Sequence, residues 1–512
     1  IEEPNALVQI LNEHNEPNVR ATVKKIYDGM VVKSQNRWPS LKRDFGSINN
    51  LLSPIFSAGF YYKTFMGPKG FWKNVYEPLI RRTAGLGKPP REFKSKSIHL
   101  HHNIDILIVG GGLAGLLAAK KLAGTDQDVL LIERDNNLGG ILRNSNKIKS
   151  IDGQKSADWI EKTEWLLKSA NNIKILKNTT VTTYNYKDHL IAIEDKTVGA
   201  PPDNNKPELV MHKIRTKHTV LANGHIERFL SFRNNDLPGV MLAASFEKYI
   251  HRYGVVADTS PVIFTNNSST FSLLKTMVDM NHKPKAYVDV RDSKKIEKET
   301  LELINNYNIP FYPKSEIEGC EGKNQIEKVF IRTKKDKTLK IKTSMLCISG
   351  GLNPDIHLFT QSKGLVKWDE KILTFKPEKS FQNTITLGSV SGNFHFEKLV
   401  EEVNKKLGFI EGCNNVNTNI EVLGPKEFYI KEIWETKSLK KSLWSKSFID
   451  LQNDVTTKDL RQAIREGFDR IEHLKRFTTN SMGTDQGKIS SINALGIASK
   501  LLKKSVSEVG TT

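Results

Sequence analysis

The stretch "VGGGLAGLLAAKKL", beginning at Val109, limits what this chain can fold into more than any other. It follows "IDILI", a short apolar run of the kind that forms a buried parallel strand. It runs into a segment of helical periodicity that closes on a glycine, and "DVLLIERD" then supplies a second strand. This strand, turn, helix, strand order is the context in which G-x-G-x-x-G signifies a dinucleotide site. Gly110 permits the tight turn, Gly112 lets the backbone approach a pyrophosphate, and Gly115 lets the helix pack closely on the strand. Ala114 lies in the first turn of that helix, whose N-terminus offers unpaired N–H groups to phosphates. Glu133 closes the second strand, where an acid accepts hydrogen bonds from an adenosine ribose. An acid there repels a 2′-phosphate, which favours FAD or NAD over NADP. Arg134, directly after it, works against that preference.

Three further glycine loops accompany the fingerprint. "RDNNLGGIL" brings Gly139 and Gly140, "LANGH" brings Ala222 and Gly224, and "TLGSVSG" brings Gly388. The expected cofactor-binding set is therefore Gly110, Gly112, Ala114, Gly115, Glu133, Arg134, Gly139, Gly140, Ala222, Gly224 and Gly388. Together these loops resemble the α/β fold with two dinucleotide-binding domains found in FAD/NAD(P)-dependent, disulfide-reductase-like proteins. The redox disulfide of true disulfide reductases is not encoded. Cys320, Cys347 and Cys413 share no C-x-x-C spacing, so neither that motif nor a zinc or iron–sulfur site is expected. Cys347, in the apolar run "MLCISGG", reads as a small core residue.

Lys and Arg outnumber Asp and Glu by 77 to 57 in 512 residues, a formal charge of +20. The excess is spread along the chain, which suits a solubilising surface or an acidic partner subunit. No nucleic-acid recognition motif accompanies it, and no apolar stretch is long enough to span a membrane. The low cysteine count and the want of a signal peptide point to the cytoplasm. No histidine spacing or carboxylate pair marks a catalytic site. His101 and His102 fall in a linker, and His225 and His357 in glycine-rich loops.

Residues 1–100 are rich in turns and aromatics, among them Trp38, Tyr61, Tyr62, Phe65, Phe71, Trp72 and Tyr76. So many rings in a loop-like stretch need a surface, either this chain's next domain or another subunit. Lys63, Arg81 and Arg82 read as solvated cations. The glycine-fingerprint domain is expected over 101–260 and 381–425. A second unit, inserted over 261–380, has the strand–helix–strand rhythm of "PVIFTNN", "STFSLLKTMVDMN" and "KAYVDVRD" without a glycine turn. The tail, 426–512, reads as polar helix. Its clearest segment is "TKDLRQAIREGFDRIEHLKRF", with Leu460, Ile464, Phe468, Ile471 and Leu474 at helical spacing.

Several long stretches carry a more specific resemblance. "EEPNALVQI", "QNRWPSL", "AGFYYKTFM", "YEPLIRRTAGLG", "NNDLPGVMLAAS", "SGGLNPDIHLF", "FIDLQNDVTTKDLRQAIREGF" and "EHLKRFTTNSMGTDQGK" are similar to the alpha subunits of heterotetrameric sarcosine oxidases. The resemblance implies an internal piece of a subunit about twice as long. Residues 1–100 would hold the remnant of an N-terminal β-grasp domain plus an aromatic connector. The tail would lead to a folate-binding, aminomethyltransferase-like domain. It implies beta, gamma and delta partner subunits and oxidative demethylation of sarcosine. FAD on beta takes the hydride, FMN at the alpha–beta interface passes electrons to oxygen, and tetrahydrofolate receives the one-carbon unit. In this chain it implies a bound NAD that does no chemistry, with FAD as the alternative found in related amine and amino-acid dehydrogenases. Those relatives carry cluster-ligating cysteines in "M-G-x-C-Q-G-x-x-C". Here "MGTDQGKIS" has Asp485 and Ser490 instead, oxygen ligands ill suited to an iron–sulfur cluster.

Overall fold

The computed structural model describes all residues except 1–5, 13–14, 22–23, 53–57, 61–63, 89–95, 200–205, 414, 438–445, 484 and 511–512. Side chains 49, 50 and 52 also lie outside the description.

Ile106, Leu107, Ile108 and Val109 are withdrawn from solvent, as are Val129, Leu130, Leu131 and Ile132. Runs apolar on both faces suit central parallel strands. They form the middle of a seven-stranded sheet. Its order is Ile173–Leu176, Val129–Ile132, Ser97–Val109, Leu209–Leu221, His189–Asp195 and Thr179–Asn185. The strand Leu209–Leu221 divides its second edge. Residues 209–215 pair antiparallel with His189–Asp195, and residues 219–221 pair parallel with Thr384–Thr386. The helices Leu113–Leu122 and Ser156–Ser169 cover this sheet, with Leu116, Leu117, Ala118, Ala119, Trp159 and Ile160 in one apolar cluster.

The first strand is longer than its apolar run predicts. It begins at Ser97, and "SIHLHHN" pairs in parallel register with "LVMHKIR". His101 and His102, expected in a linker, therefore lie within a strand, and His102 Nε2 stands 2.9 Å from His212 Nδ1. The half-exposed, histidine-rich alternation hides this strand from a search for apolar runs.

After Leu221 the chain crosses into a second unit, a parallel sheet of five strands. Their order is Val240–Leu242, Leu346–Ser349, Val262–Thr265, Ala286–Asp289 and Phe311–Pro313. The antiparallel strands Glu316–Glu321, Lys328–Arg332 and Thr338–Lys342 adjoin it. The outgoing and returning crossings pair with each other through His225–Glu227 and Leu352–Pro354. Arg228 fastens them. Its buried guanidinium donates to the Gly350 carbonyl at 2.9 Å, Asn353 Oδ1 at 3.0 Å and the Leu373 carbonyl at 2.8 Å, and it lies 4.9 Å from the Trp434 ring centre. With no carboxylate beside it, burial pushes this guanidinium down to about 9.

The tail departs from the single helix its periodicity predicts. Thr457–Arg465 and Ile471–Thr478 are separate helices. Gly467 (φ +99°) ends the first, its N–H donating to the Ile464 carbonyl while the Phe468 N–H reaches the Ala463 carbonyl. This left-handed glycine cap stops a helix whatever the apolar spacing beyond it. The apolar residues still meet, because both helices and Ser491–Leu502 close on one core containing Leu460, Leu474, Phe477, Leu495 and Trp434.

Candidate functional site

The predicted fingerprint residues come together at the end of the first strand. Gly110 has φ +104°, and a Cβ there would stand 2.5 Å from the Ala222 carbonyl oxygen. At Gly115 a Cβ would collide with the Gly110 carbonyl oxygen and touch Ile108 at 3.5 Å. Gly112, the N-cap of the helix Leu113–Leu122, differs: only Gly140 Cα, at 4.0 Å, lies near its Cβ position. Two of these glycines are thus needed for packing, whereas Gly112 has room for a Cβ, with Gly140 Cα at van der Waals distance. No side chain caps this helix. Its first N–H groups are left for an anion, as in phosphate-binding turns.

Glu133 is built into the same turn. Its Oε2 accepts the Gly111 N–H at 2.6 Å and its Oε1 accepts the Asp135 N–H at 2.7 Å. Burial pushes its carboxyl up from the ordinary value, against the pull of those two N–H groups. Each oxygen keeps a second lone pair that a ribose hydroxyl can use. Arg134 is exposed, and Asp135 pairs with Arg252 at 2.7 Å.

The other glycine loops surround this turn. Gly139 donates to the Gly111 carbonyl at 2.8 Å and sits at φ +119°, where a Cβ would meet Ile160 at 2.6 Å. Gly140 (φ +52°) stands against Gly112, its Cβ position 3.1 Å from Gly112 Cα. Ala222 donates its N–H to the Val109 carbonyl, and Gly224 has nothing within 4 Å of its Cβ position. Gly388 packs on Ala114, with 3.1 Å between its Cβ position and Ala114 Cβ. Asn223 ties this face to the returning crossing, donating to the Asp355 carbonyl at 2.6 Å. Burial pushes the Asp355 carboxyl up, but the His357 hydrogen bond and the charges of Lys488 and Arg134 outweigh it and hold it at about 2.

His225, beside Gly224, is the titratable group of this face with the clearest pH signature. Burial and the nearby Lys147 charge push its ring down to about 4. Between about pH 4 and 6.5 the unfolded chain binds a proton at this residue that the folded chain refuses. Stability therefore rises with pH across that window and is lost as pH falls, by up to about 3 kcal/mol. His225→Asn is expected to flatten the melting-temperature profile between pH 4 and 6.5. An unchanged slope would show that another group carries it.

The inserted unit lacks a corresponding cradle. Between Val262–Thr265 and the helix Phe271–Asp279, where a glycine turn would meet phosphates, stand Asn266, Asn267 and Ser268, all buried. Asn267 Nδ2 donates to Asn266 Oδ1 and to Ser349, and its Oδ1 accepts the Ser269 N–H at 2.9 Å. Arg291 fills the space beside them. Its guanidinium is paired with Asp289 at 2.8 Å and Glu297 at 2.7 Å and lies 3.3 Å from Ser268 Oγ. Asp289 and Arg291 are 0% and 2% exposed, so this is a closed, internally paired cluster.

In the tail, Asp485 and Ser490 are both buried and both engaged. Asp485 accepts the N–H groups of Gly487 and Ile489 at 3.1 and 3.2 Å, and Ser490 Oγ lies 3.1 Å from Ser481 Oγ. Among the described residues no group of three or more His, Cys, Asp or Glu side chains is placed to hold a metal ion. Cys320 and Cys347 are buried, Cys413 is partly so, and no two of them are joined in a disulfide. No helix among the described residues is long and apolar enough to cross a membrane.

The aromatic N-terminal stretch lies open. Trp38, Phe45, Phe71 and Trp72 are exposed, as are Leu41 and Met66. Tyr61, Tyr62 and Lys63 lie outside the described residues. Arg81 pairs with Glu77 one helical turn away, and Arg82 is exposed.

Comparison with known proteins agrees with this architecture. The family described as "Pyridine nucleotide-disulphide oxidoreductase" matches residues 104–377, and the one described as "Sarcosine oxidase A3 domain" matches 444–512. The sarcosine oxidase subunit alpha of Rhizobium meliloti (strain 1021) is 34% identical over 536 aligned positions, covering 100% of this chain and 51% of that protein. The subunit of the same name from Corynebacterium sp. (strain P-1) is 29% identical, covering 81% of this chain and 44% of that protein. The chain thus spans about half the length of the curated relatives it matches. Among solved structures, L-proline dehydrogenase from P. horikoshii shares the fold, with a TM-score of 0.56 and 20% identity over 82% of this chain and 78% of that one. The chain belongs to the pyridine nucleotide-disulphide oxidoreductases, an oxidoreductase family matched over more than half of its 512 residues, and along its whole length it is a homologue of the sarcosine oxidase alpha subunits.

Proposed function

We propose that this chain is the dinucleotide-binding part of a sarcosine oxidase alpha subunit, and that its fingerprint holds NAD. The observation that carries this reading is the turn itself. Gly112, where a Cβ would meet nothing nearer than 4.0 Å, caps a helix N-terminus that no side chain caps, and Glu133 stands at the end of the adjacent strand. Gly110, Gly112, Ala114 and Gly115 would line the pyrophosphate, and Glu133 would accept from the adenosine ribose, with Arg134 beside it. Gly139, Gly140, Ala222, Gly224 and Gly388 would border the second half. Free nicotinamide dinucleotides supply hydride chemistry, but here the group is structural. The flavins, FAD and FMN, are assigned to the beta subunit and its boundary with this chain. The exposed rings of Trp38, Phe45, Phe71 and Trp72 offer an apolar face for that subunit.

The complex, with beta, gamma and delta subunits in the cytoplasm, would convert sarcosine to glycine with hydrogen peroxide. The one-carbon unit would leave as formaldehyde or as methylene-tetrahydrofolate. The alternative is an alpha subunit of an FAD-containing amine or amino-acid dehydrogenase. The hydrogen-bonded Asp485 and Ser490 support the oxidase reading.

The natural full-length chain, purified and heat-extracted, is expected to release NAD and to lack visible flavin absorption. FAD in the extract would overturn the cofactor assignment. Co-expression with the beta subunit is expected to give sarcosine-dependent peroxide, and its failure would remove the substrate assignment. Glu133→Ala removes both the ribose acceptor and the brace on Gly111. Loss of two such hydrogen bonds is expected to weaken NAD by about 100-fold or more, read by calorimetry.

A further inference from the structure

The strand Ser97–Val109 opens with "SIHLHHN", three histidines within four residues. Successive side chains of a strand point to opposite faces, so the three rings do not act together. His102 falls on the face that carries Val210, His212 and Ile214, all buried. It is committed there. Its Nε2 lies 2.9 Å from His212 Nδ1, and His212 Nε2 lies 3.1 Å from Glu194 Oε2. His99 and His101 share the other face. Both are exposed, and neither takes part in a hydrogen bond or ion pair among the described residues. At about 3.3 Å per residue their Cα atoms stand about 6.6 Å apart, a span that two imidazoles can close on one ion. The strand Val129–Ile132 pairs with this one only from Ile106 onward, so it leaves the edge beside the two rings open.

The strand Leu209–Leu221 adds a third donor. Met211 is the register partner of His99, so its half-buried thioether lies on the same face, one strand spacing of about 4.8 Å away. His101 is paired in the same way with Lys213. On the far side of Met211 and Lys213 the strand His189–Asp195 places Ile193 and Ile191. The corner therefore offers two uncommitted imidazoles and a thioether, with an ammonium group and no carboxylate beside them.

We infer that His99, His101 and Met211 form a surface site for copper(I). The donor set selects the ion. Imidazole suits several transition metals, but a thioether is a soft ligand that favours copper(I). Calcium and magnesium require oxygen donors, which this corner lacks. Zinc takes four ligands in a structural site, and no group of three or more His, Cys, Asp or Glu side chains gathers among the described residues. The charge of Lys213 opposes a doubly charged ion twice as strongly as a singly charged one. The site is separate from the dinucleotide turn. His99 precedes Gly110 by eleven positions, about 36 Å along the strand, so either reading can fail without the other.

The test uses the alternation of the strand. The natural full-length chain, freed of metal and kept reduced and anaerobic, is titrated with copper(I) against the chromophoric chelator bicinchoninate. His99→Ala and His101→Ala are each expected to weaken one equivalent of copper(I) by about 100-fold. Met211→Leu is expected to weaken it by about 10-fold and to leave zinc affinity unchanged. His102→Gln, on the opposite face, is expected to leave copper(I) within about twofold. X-ray absorption at the copper edge is expected to show nitrogen and sulfur neighbours, with a sulfur neighbour lost in Met211→Leu. Copper(I) bound equally well by His99→Ala and the unsubstituted chain would overturn the site. A loss in His102→Gln as large as that in His99→Ala would overturn the placement of the ligands. Zinc held more tightly than copper(I) would overturn the choice of ion. Melting temperature, recorded for each variant, separates loss of fold from loss of a ligand.

Discussion

Gly115→Val is expected to abolish dinucleotide binding and to lower stability by about 3 kcal/mol, or about 6–12 °C in melting temperature. The Cβ of any other residue would collide with the Gly110 carbonyl oxygen, which is backbone and cannot swing aside. Relief requires the helix Leu113–Leu122 to move off the strand Ser97–Val109. That motion separates the uncapped N–H groups from Gly112 and disturbs Leu116, Ala118 and Ala119, which are fully buried. Gly112→Ala provides the contrast. Nothing nearer than 4.0 Å opposes its Cβ, so it is expected to fold almost normally and to lose affinity through the ligand's lost space alone. Thermal denaturation and calorimetry on the two variants separate these effects. A well-folded Gly115→Val chain with ordinary NAD affinity would refute the packing argument.

Arg291→Met is expected to cost about 3–5 kcal/mol, because it strands two buried carboxylates without a counter-charge. Asp289 and Glu297 both depend on this guanidinium. Burial already pushes the Asp289 carboxyl up from its ordinary value, with Arg291 opposing that push. Adding Asp289→Asn to Arg291→Met is expected to recover more than half of the loss, since one stranded charge is removed. Denaturant unfolding of the single and double variants is the measurement. Neither is expected to create affinity for a second nucleotide, because Asn266, Asn267 and Ser268 still occupy the turn.

The fold class was legible because its central strands are apolar on both faces and its turns need glycine. "ILIV" and "VLLI" cannot lie at a surface, and Gly110 and Gly115 could be inferred from sterics alone. The cap at Gly467 was less visible, since helical spacing continues through it and only φ reveals the break. The start of the first strand at Ser97 was concealed by its histidines, which satisfy alternation without apolarity. Arg291 carried no signal: an arginine two residues after a strand's acid reads as solvated until burial shows otherwise.

The strands Ser97–Val109 and Leu209–Leu221, thirteen residues each and in parallel register along their length, have a mechanical consequence. At about 3.3 Å per residue they form a rod about 43 Å long. One end begins at Ser97 and Leu209, where the strands are exposed; the other terminates in Gly110 and Ala222. The rod behaves as a cantilever clamped at the glycine turn. A load applied by anything that grips the Ser97 end arrives at the glycine turn through the strand ladder, with no loop between to absorb it.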